Sequence, residues 1–431
     1  MYRVGPHRAT MPLLSAIPLI VLCALSACCA VYYAVVWSRV ARSQRSVPTL
    51  LDGLELARRG GLTLPDATTC VVIPAHNERD VIGVAAKSLC RVLGLGERVR
   101  VVFVLDRCTD DTEAVLRDTI ERFAPEGKSG AFEVILNDRC PEGWAGKTHA
   151  VWRGVTDSRG AQGAQLLCFA DADTVFEPGT IRAAAALMEH RGLHMVSLLS
   201  TLIVQDWYER TAQPAAGIEL VRQFPLDLVN RPESKRAFAN GQFMLFRRDA
   251  YDALGGHERV KSELLEDLAF ARRIKWHHKD LRLGVFMAAG VFRCRMYRAW
   301  PAFRRGWKRI YTEAARRNSK RLSLNALRLL IIGGALPVCA AAATVAGPVV
   351  MKLGDIPLGA SMLATGAAGA YAFSGGIGRA MRAQGLAAWH LLLYPVGAAM
   401  TAFILREAAN DLRRGRGTRW AGMEYSREAR R

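Results

Sequence analysis

Four stretches of this 431-residue chain contain no charged side chain: Ala9 to Ser38, Leu329 to Met351, Ile356 to Gly378 and Ala383 to Leu405. Each exceeds the ~20 apolar residues that a helix needs to cross the hydrocarbon of a bilayer. They limit the fold severely, because any soluble domain must lie between the first stretch and the other three. The first run continues to Trp37, past a Leu25-Ser-Ala-Cys28 sequence like a lipoprotein processing site. That is too long for a signal peptide, so the reading is an uncleaved anchor over 9–38. Residues 329–405 form a carboxyl-terminal membrane region of two or three helices. Ile356 to Gly378, rich in Gly and Ala, is its weakest member and a candidate for a re-entrant or interfacial segment.

The formal charge of +20 raises nucleic acid as a partner. Its distribution points elsewhere. Between Arg293 and Arg321 there are eleven Arg or Lys and one acid, Glu313, together with Tyr297, Trp300, Trp307 and Tyr311. Basic and aromatic residues just before an apolar span read as an interfacial segment, 291–328, on anionic lipid headgroups. No zinc-finger spacing, RNA-binding aromatic motif or basic zipper accompanies them, so no nucleic-acid partner is expected. Arg39, Arg42 and Arg45 follow the anchor immediately, which favours a cytoplasmic soluble domain on the inner membrane. The tail 406–431 is also strongly basic. Three full crossings before it would carry it to the opposite side.

Between these ends, residues 46–290 alternate strand-like and helix-like patterns. Ser46 to Thr69 reads as a linker, with Pro48, Pro65 and Gly60-Gly61. Asp80 to Leu93 reads as a helix that Asp80 could cap, and Thr180 to Met188 as another. Leu167-Cys-Phe-Ala-Asp171-Ala-Asp173 is an apolar run ending in two carboxylates. Open α/β sheets place ligands at the carboxyl ends of such strands. Two carboxylates at i and i+2 can share a hard divalent cation, Mg2+ or Mn2+, which in turn suits diphosphate. A second acidic pair, Glu266-Asp267, could supply a base. The runs Cys70-Val-Val-Ile-Pro74-Ala-His76-Asn77-Glu78 and Val101-Val-Phe-Val-Leu-Asp106 end likewise in polar loops, and Gly143-Trp144-Ala-Gly146-Lys147 offers mobile backbone and one cation.

Taken in order, these pieces resemble glycosyltransferase family 2 enzymes with the GT-A fold, and within them the membrane-bound subgroup of hopene-associated and carotenoid glycosyltransferases. A further stretch, Gly241-Gln242-Phe-Met-Leu-Phe-Arg-Arg-Asp-Ala-Tyr251, with Gly255-Gly256-His257-Glu258, matches the same pattern. The likeness covers about residues 70–320. It implies an α/β, Rossmann-like nucleotide-diphospho-sugar transferase domain between the anchor and the carboxyl-terminal helices. Pro74, Asn77, Glu78 and Asp106 would then line the base and ribose pocket. Many relatives have two adjacent aspartates where this chain has Leu105-Asp106. Asp171 and Asp173 would hold the ribose-diphosphate end and the metal, with Asp173 the direct ligand, and Lys147 would offset diphosphate charge. Asp267 would deprotonate the acceptor, with Glu266 beside it. Gly241, Gln242, His257 and Trp307 are candidates to meet the acceptor, although Trp307 could equally be an interfacial aromatic and His257 a turn residue.

The expected activity is inverting, metal-dependent transfer of one sugar from a nucleotide sugar, UDP-sugar first among them, to a hydroxyl of a lipid or lipid-linked acceptor. Arg295-Met-Tyr297 and Gly306-Trp307-Lys308 look like single-addition lipid enzymes, not the Q-x-x-R-W of processive polysaccharide synthases. Those synthases, and a catalytically silent membrane scaffold, are the rival readings.

Overall fold

The computed structural model describes residues 13–416, 418–420 and 423–425, with side chains from 16 to 416. Residues 1–12, which include Arg3, Arg8 and the start of the anchor, lie outside the described residues, as do Ala421 and Gly422 of the tail.

The chain divides into two compact units, residues 45–204, 221–317 and 416–431 forming one and residues 1–44, 205–220 and 318–415 the other. The first is a mixed α/β, GT-A-like domain. Its strands are β1 (Thr69–Ala75), β2 (Val99–Asp106), β3 (Phe132–Asn137), β4 (Leu166–Ala170), β5 (Thr174–Phe176), β6 (Met195–Leu199), β7 (Thr201–Leu202), β8 (Phe243–Arg247), β9 (Leu283–Met287) and β10 (Phe292–Cys294). Seven form the main sheet in the order β3-β2-β1-β4-β8-β6-β9, and β5, β10 and β7 make a second, smaller one. β1 and β4 are near-continuous runs of buried apolar residues, as expected for strands covered on both faces.

β1, β2, β3 and β4 run parallel. Their carboxyl ends therefore share one edge, where the loops after Ala75, Asp106 and Ala170 emerge. β8 runs antiparallel to β4, with Phe243 opposite Ala170. The entry to β8, Gly241-Gln242, is thereby brought beside the exit of β4, Asp171. This reversal places two motifs 70 residues apart at one spot.

In this unit three details differ from the sequence expectation. The supposed linker contains a helix, Leu50–Arg59, whose Gly53 lies against the Ala183 carbonyl of the helix Thr180–His190. Asp52 starts it by accepting from the Thr49 amide at 2.7 Å. The helix after β1 runs Ile82–Gly94 with Val81 at its N-cap and no side-chain cap, so Asp80 does not fill that role. The amides of Val81 and Ile82 bond instead to the Glu78 carbonyl. Finally, residues 291–298 are not interfacial as a whole, since Phe292–Cys294 is a strand. In the helix Trp300–Ala314 that follows, Phe303, Trp307 and Tyr311 are buried. Internal ring packing, Trp307 to Tyr311 at 5.4 Å among it, replaces lipid contact for these aromatics.

In the other unit, among the described residues, four helices are long and apolar enough to cross a membrane: Ala16–Ser46, Ser319–Lys352, Ile356–Ala383 and Ala388–Arg413. The suspected re-entrant piece is one unbroken helix of 28 residues, about 42 Å at 1.5 Å per residue. Gly347, Gly359 and Gly366 let it approach its neighbour closely: a Cβ on Gly359 would stand 2.6 Å from the Gly347 carbonyl oxygen. The last helix extends to Arg413, so residues 406–413 are helix and not tail. Gln205–Leu220, expected within the soluble domain, groups with these helices, and Gly397 lies against the Thr211 carbonyl.

Candidate active site

Four polar segments meet at the carboxyl edge of the main sheet. Lys147 stands in the first turn of the helix Gly146–Asp157, and Glu266 and Asp267 open the helix Glu266–His277. Lys147 Nζ bridges Asp171 Oδ1 and Glu266 Oε1, each at 2.7 Å. One cation thus ties the exit of β4 to the second acidic pair. Burial disfavours its charge, but the two carboxylates outweigh burial and hold the ammonium well above the usual lysine range. For Glu266, burial is likewise outweighed by Lys147, and its carboxyl lies below the usual range.

Asp267 differs from its neighbour. Burial, then the Glu266 charge, pushes it up to about 6. Its Oδ2 accepts from the Gly241 amide at 2.7 Å and its Oδ1 from the Leu268 amide at 2.6 Å. Two adjacent carboxyls with pKa values driven apart suit different tasks: Glu266 stays ionised against Lys147, while Asp267 can exchange a proton near neutral pH. A side chain at Gly241 would crowd all three groups. A Cβ there would lie 3.2 Å from Asp267 Oδ2, 3.2 Å from Lys147 Nζ and 3.4 Å from Glu266 Oε1.

Asp173 is pushed well above the carboxylate range by burial and by the charges of Asp171 and Glu78, and its Oδ1 accepts from Cys294 Sγ at 3.4 Å. Glu78 is raised to about 7 by burial and by Asp171 and Asp110. Mutually repelling carboxylates with hard oxygen donors fit a divalent cation. Among the described residues no three His, Cys, Asp or Glu side chains are gathered to hold a metal ion. Mg2+ characteristically takes only one or two carboxylates, the remainder coming from phosphate and water, so the Asp171–Asp173 pair suffices.

The remaining expected residues divide. Pro74 lies within β1 opposite Val104, and Asn77 is exposed, its Oδ1 accepting from the Thr109 amide at 2.8 Å. The Glu78 amide donates to Thr112 Oγ1 at 2.8 Å, so the loops after β1 and β2 are stapled together. Asp106 is buried, with its oxygens engaged by Arg107 and Asn137. Gln242 is also buried; its Nε2 donates to Cys294 Sγ at 3.1 Å and its Oε1 accepts from Ser200. His257 has no exposed surface. Its Nδ1 accepts from the Tyr251 hydroxyl at 2.9 Å, and its ring packs edge-on against Phe169 of β4 and Phe270 of the Glu266 helix. His257 and Trp307 are thus both buried among other side chains, where the sequence reading expected them at the acceptor. Sequence reasoning missed Arg107, Asn137 and Cys294. Asn137 could have been found, as the polar last residue of a strand in register with Asp106.

Residues 70–255 match the profile described as Glycosyl transferase family 2. Over those residues the chain is similar to glycosyltransferase family 2. Among individual proteins, it is 25% identical over 250 residues to the 4,4'-diaponeurosporenoate glycosyltransferase of Staphylococcus aureus (strain MRSA252), covering 57% of this chain and 61% of that protein. The chain thus spans about three fifths of the length of the curated relatives it matches. Solved structures similar to it include a mannosyltransferase from Pyrobaculum calidifontis in complex with GDP-Man and Mn2+, at 16% identity, TM-score 0.44 and coverage of 91% of this chain and 98% of that one. Another is glucosyl-3-phosphoglycerate synthase from Mycobacterium tuberculosis with Mn2+, UDP and phosphoglyceric acid, at 19% identity, TM-score 0.36 and coverage of 63% and 81%.

Proposed function

We propose that this chain transfers one sugar from a nucleotide-sugar donor to a hydroxyl of a membrane lipid or lipid-linked acceptor, inverting the anomeric carbon. The observation that carries this reading is the division of labour between Glu266 and Asp267 around Lys147. The acceptor oxygen attacks the anomeric carbon as its proton passes to Asp267, and the bond to the diphosphate oxygen breaks. Lys147 would offset the negative charge that develops on the leaving group. Asp171 and Asp173 would hold Mg2+ or Mn2+, which when bound neutralises diphosphate charge. The loops bearing Asn77, Glu78 and Arg107 would receive the nucleoside.

Four candidate spans in the same chain and the carotenoid acceptor in the relative's name support a lipid acceptor. Arg39, Arg42 and Arg45 support a soluble domain facing the cytoplasm from the inner membrane, against anionic headgroups. Single transfer, not processive synthesis, is favoured by the absence of Q-x-x-R-W in this sequence.

The test is release of nucleoside diphosphate from a panel of nucleotide sugars by detergent-purified protein, with Mn2+ or Mg2+ and host lipid extract. Asp173→Ala and Asp267→Asn are run in parallel. Metal- and lipid-dependent release of one nucleotide, lost in both variants, is the expected result. Absence of turnover and of nucleotide binding by the wild type would favour a silent scaffold.

A further inference from the structure

Three full crossings after residue 318 would carry the basic end of this chain away from the soluble domain. Yet the chain passes back to that domain's unit at residue 416. Contacts inside the other unit order its helices. The first helix passes to the soluble domain at residues 44 and 45, so in a bilayer its Gln44 end marks that domain's side. Ser26 Oγ donates to the Cys339 carbonyl at 3.2 Å, and Tyr33 Oη to that of Ile332 at 2.8 Å, so Ser319–Lys352 runs antiparallel to it. Cys23 Sγ meets Thr365 Oγ1 at 3.4 Å, and Arg379 Nε donates to Gln44 Oε1 at 3.0 Å. Ile356–Ala383 therefore runs parallel to the first helix and ends on the soluble domain's side.

The last helix, Tyr394–Arg413, begins inside the bundle. The Tyr394 ring packs on that of Phe373 at 5.8 Å, and Phe373 stands about 15 Å from the Ala383 end at 1.5 Å per residue. That is half of the ~30 Å hydrocarbon layer. From there the helix runs back. A Cβ on Gly333 would stand 2.8 Å from that of Ala398, whereas Arg413 Nη2 donates to Ser323 Oγ at 2.7 Å. Going up the last helix thus means going down its neighbour, toward residue 318, where the chain arrives from the soluble domain. The segment Gln205–Leu220 agrees, since both its flanks lie in the soluble domain. Its Thr211 carbonyl abuts Gly397, and its Ala212 carbonyl accepts from Thr401 Oγ1 at 3.5 Å. The uncharged part of the last helix, Tyr394 to Leu405, is about 18 Å long. That is too short to cross and is the length of a re-entrant segment.

We propose that residues 388–413 enter and leave the bilayer on the soluble domain's side, as a wedge among the acyl chains and headgroups of one phospholipid leaflet. Ala388–Leu393, a 3-10 helix, leads in. Val396 and Phe403, both exposed and two turns apart, share a face of the helix, with exposed Leu392 a turn earlier. Exposed Arg406 follows nearly a turn after Phe403. An apolar stripe topped by a cation suits acyl chains below and headgroups above. The basic end of the chain then stays on the soluble domain's side. This rests on the membrane reading above and is independent of the reaction.

The experiment uses the full chain. Right-side-out and inverted membrane vesicles are treated with protease, and cleavage is read on an epitope after Arg431 and on the soluble domain. Both should be cut in one preparation and both protected in the other. Single nitroxides at positions 392, 396, 403 and 410, carried on a genetically encoded ketone side chain that spares the ten cysteines, then report depth in phosphatidylethanolamine–phosphatidylglycerol vesicles. Accessibility to oxygen over a water-soluble nickel chelate should peak at 396 and fall through 403 to 410. A full crossing would put 403 deepest and 392 at the far headgroups. A peak at 403, or an epitope cut where the soluble domain is protected, overturns the proposal. Release of the protein from membranes by alkaline carbonate overturns the membrane reading with it.

Discussion

Replacing Gly241 by Ala should separate catalysis from folding. The added Cβ would stand 3.2 Å from Asp267 Oδ2 and Lys147 Nζ and 3.4 Å from Glu266 Oε1. These neighbours must give by a few tenths of an ångström, and all three are the far ends of side chains. Gly241 does not have a left-handed φ, so alanine meets no backbone strain there. Loss of chain entropy in the unfolded state favours the variant by about 0.4–1 kcal/mol. Crowding a packed site opposes it by about 1–3 kcal/mol. The net effect on folding is a destabilisation of about 0–2.5 kcal/mol. The chemistry is less forgiving, since misplacing a catalytic group by 1 Å costs on the order of 100-fold. A displacement of a few tenths of an ångström, in both the base and its counter-charge, should lower kcat by roughly tenfold. Initial-rate kinetics with the identified donor, beside thermal melting in the same detergent, check this. A kcat within about twofold of wild type, in protein that melts normally, would refute the crowded geometry.

The pH profile gives a second check. Because Asp267 must be unprotonated to act and its carboxyl is raised to about 6, kcat/KM should fall as the pH drops through 6, about tenfold per unit below it. An ordinary aspartate would place that fall near pH 4. Lys147→Met leaves the buried Glu266 without its cation; turnover should drop at least about 100-fold and the melting temperature should fall, with Lys147→Arg retaining part of both. Chelation with EDTA should abolish turnover and Mn2+ or Mg2+ restore it, with Asp173→Ala unresponsive to the metal. In the membrane unit, Gly359→Val would drive a side chain into the Gly347 carbonyl and should lower the detergent melting point without altering soluble-domain nucleotide binding.

Local sequence was informative wherever the signal is short-range. Apolar runs of strand length ending in carboxylates located β1, β2 and β4, and uncharged stretches located the candidate spans, because burial on both faces and immersion in lipid each demand an unbroken apolar pattern. The helix Leu50–Arg59 was hidden by flanking Pro and Gly, which mark a loop whether or not ten residues between them pack. Gln205–Leu220 groups with the apolar helices although its sequence is not uncharged, and Ala212, Ala215 and Ala216 are among its buried residues. The aromatics of Trp300–Ala314 could have faced lipid or protein, since hydrophobicity alone does not name the partner.

The order of residues thus declares which acids are present and at which strand ends they stand. It is silent on how they share charge. Lys147 lies 24 residues from Asp171 and 119 from Glu266, yet it bridges the two, and an antiparallel β8 inserted into a parallel sheet brings Gly241 beside them to meet Asp267. The same holds for Asp106 and Arg107. They are adjacent in any conformation, but the carboxylate is buried and held only because Asn137 arrives from β3, since a group's chemistry follows from the partners and solvent that folding allots to it.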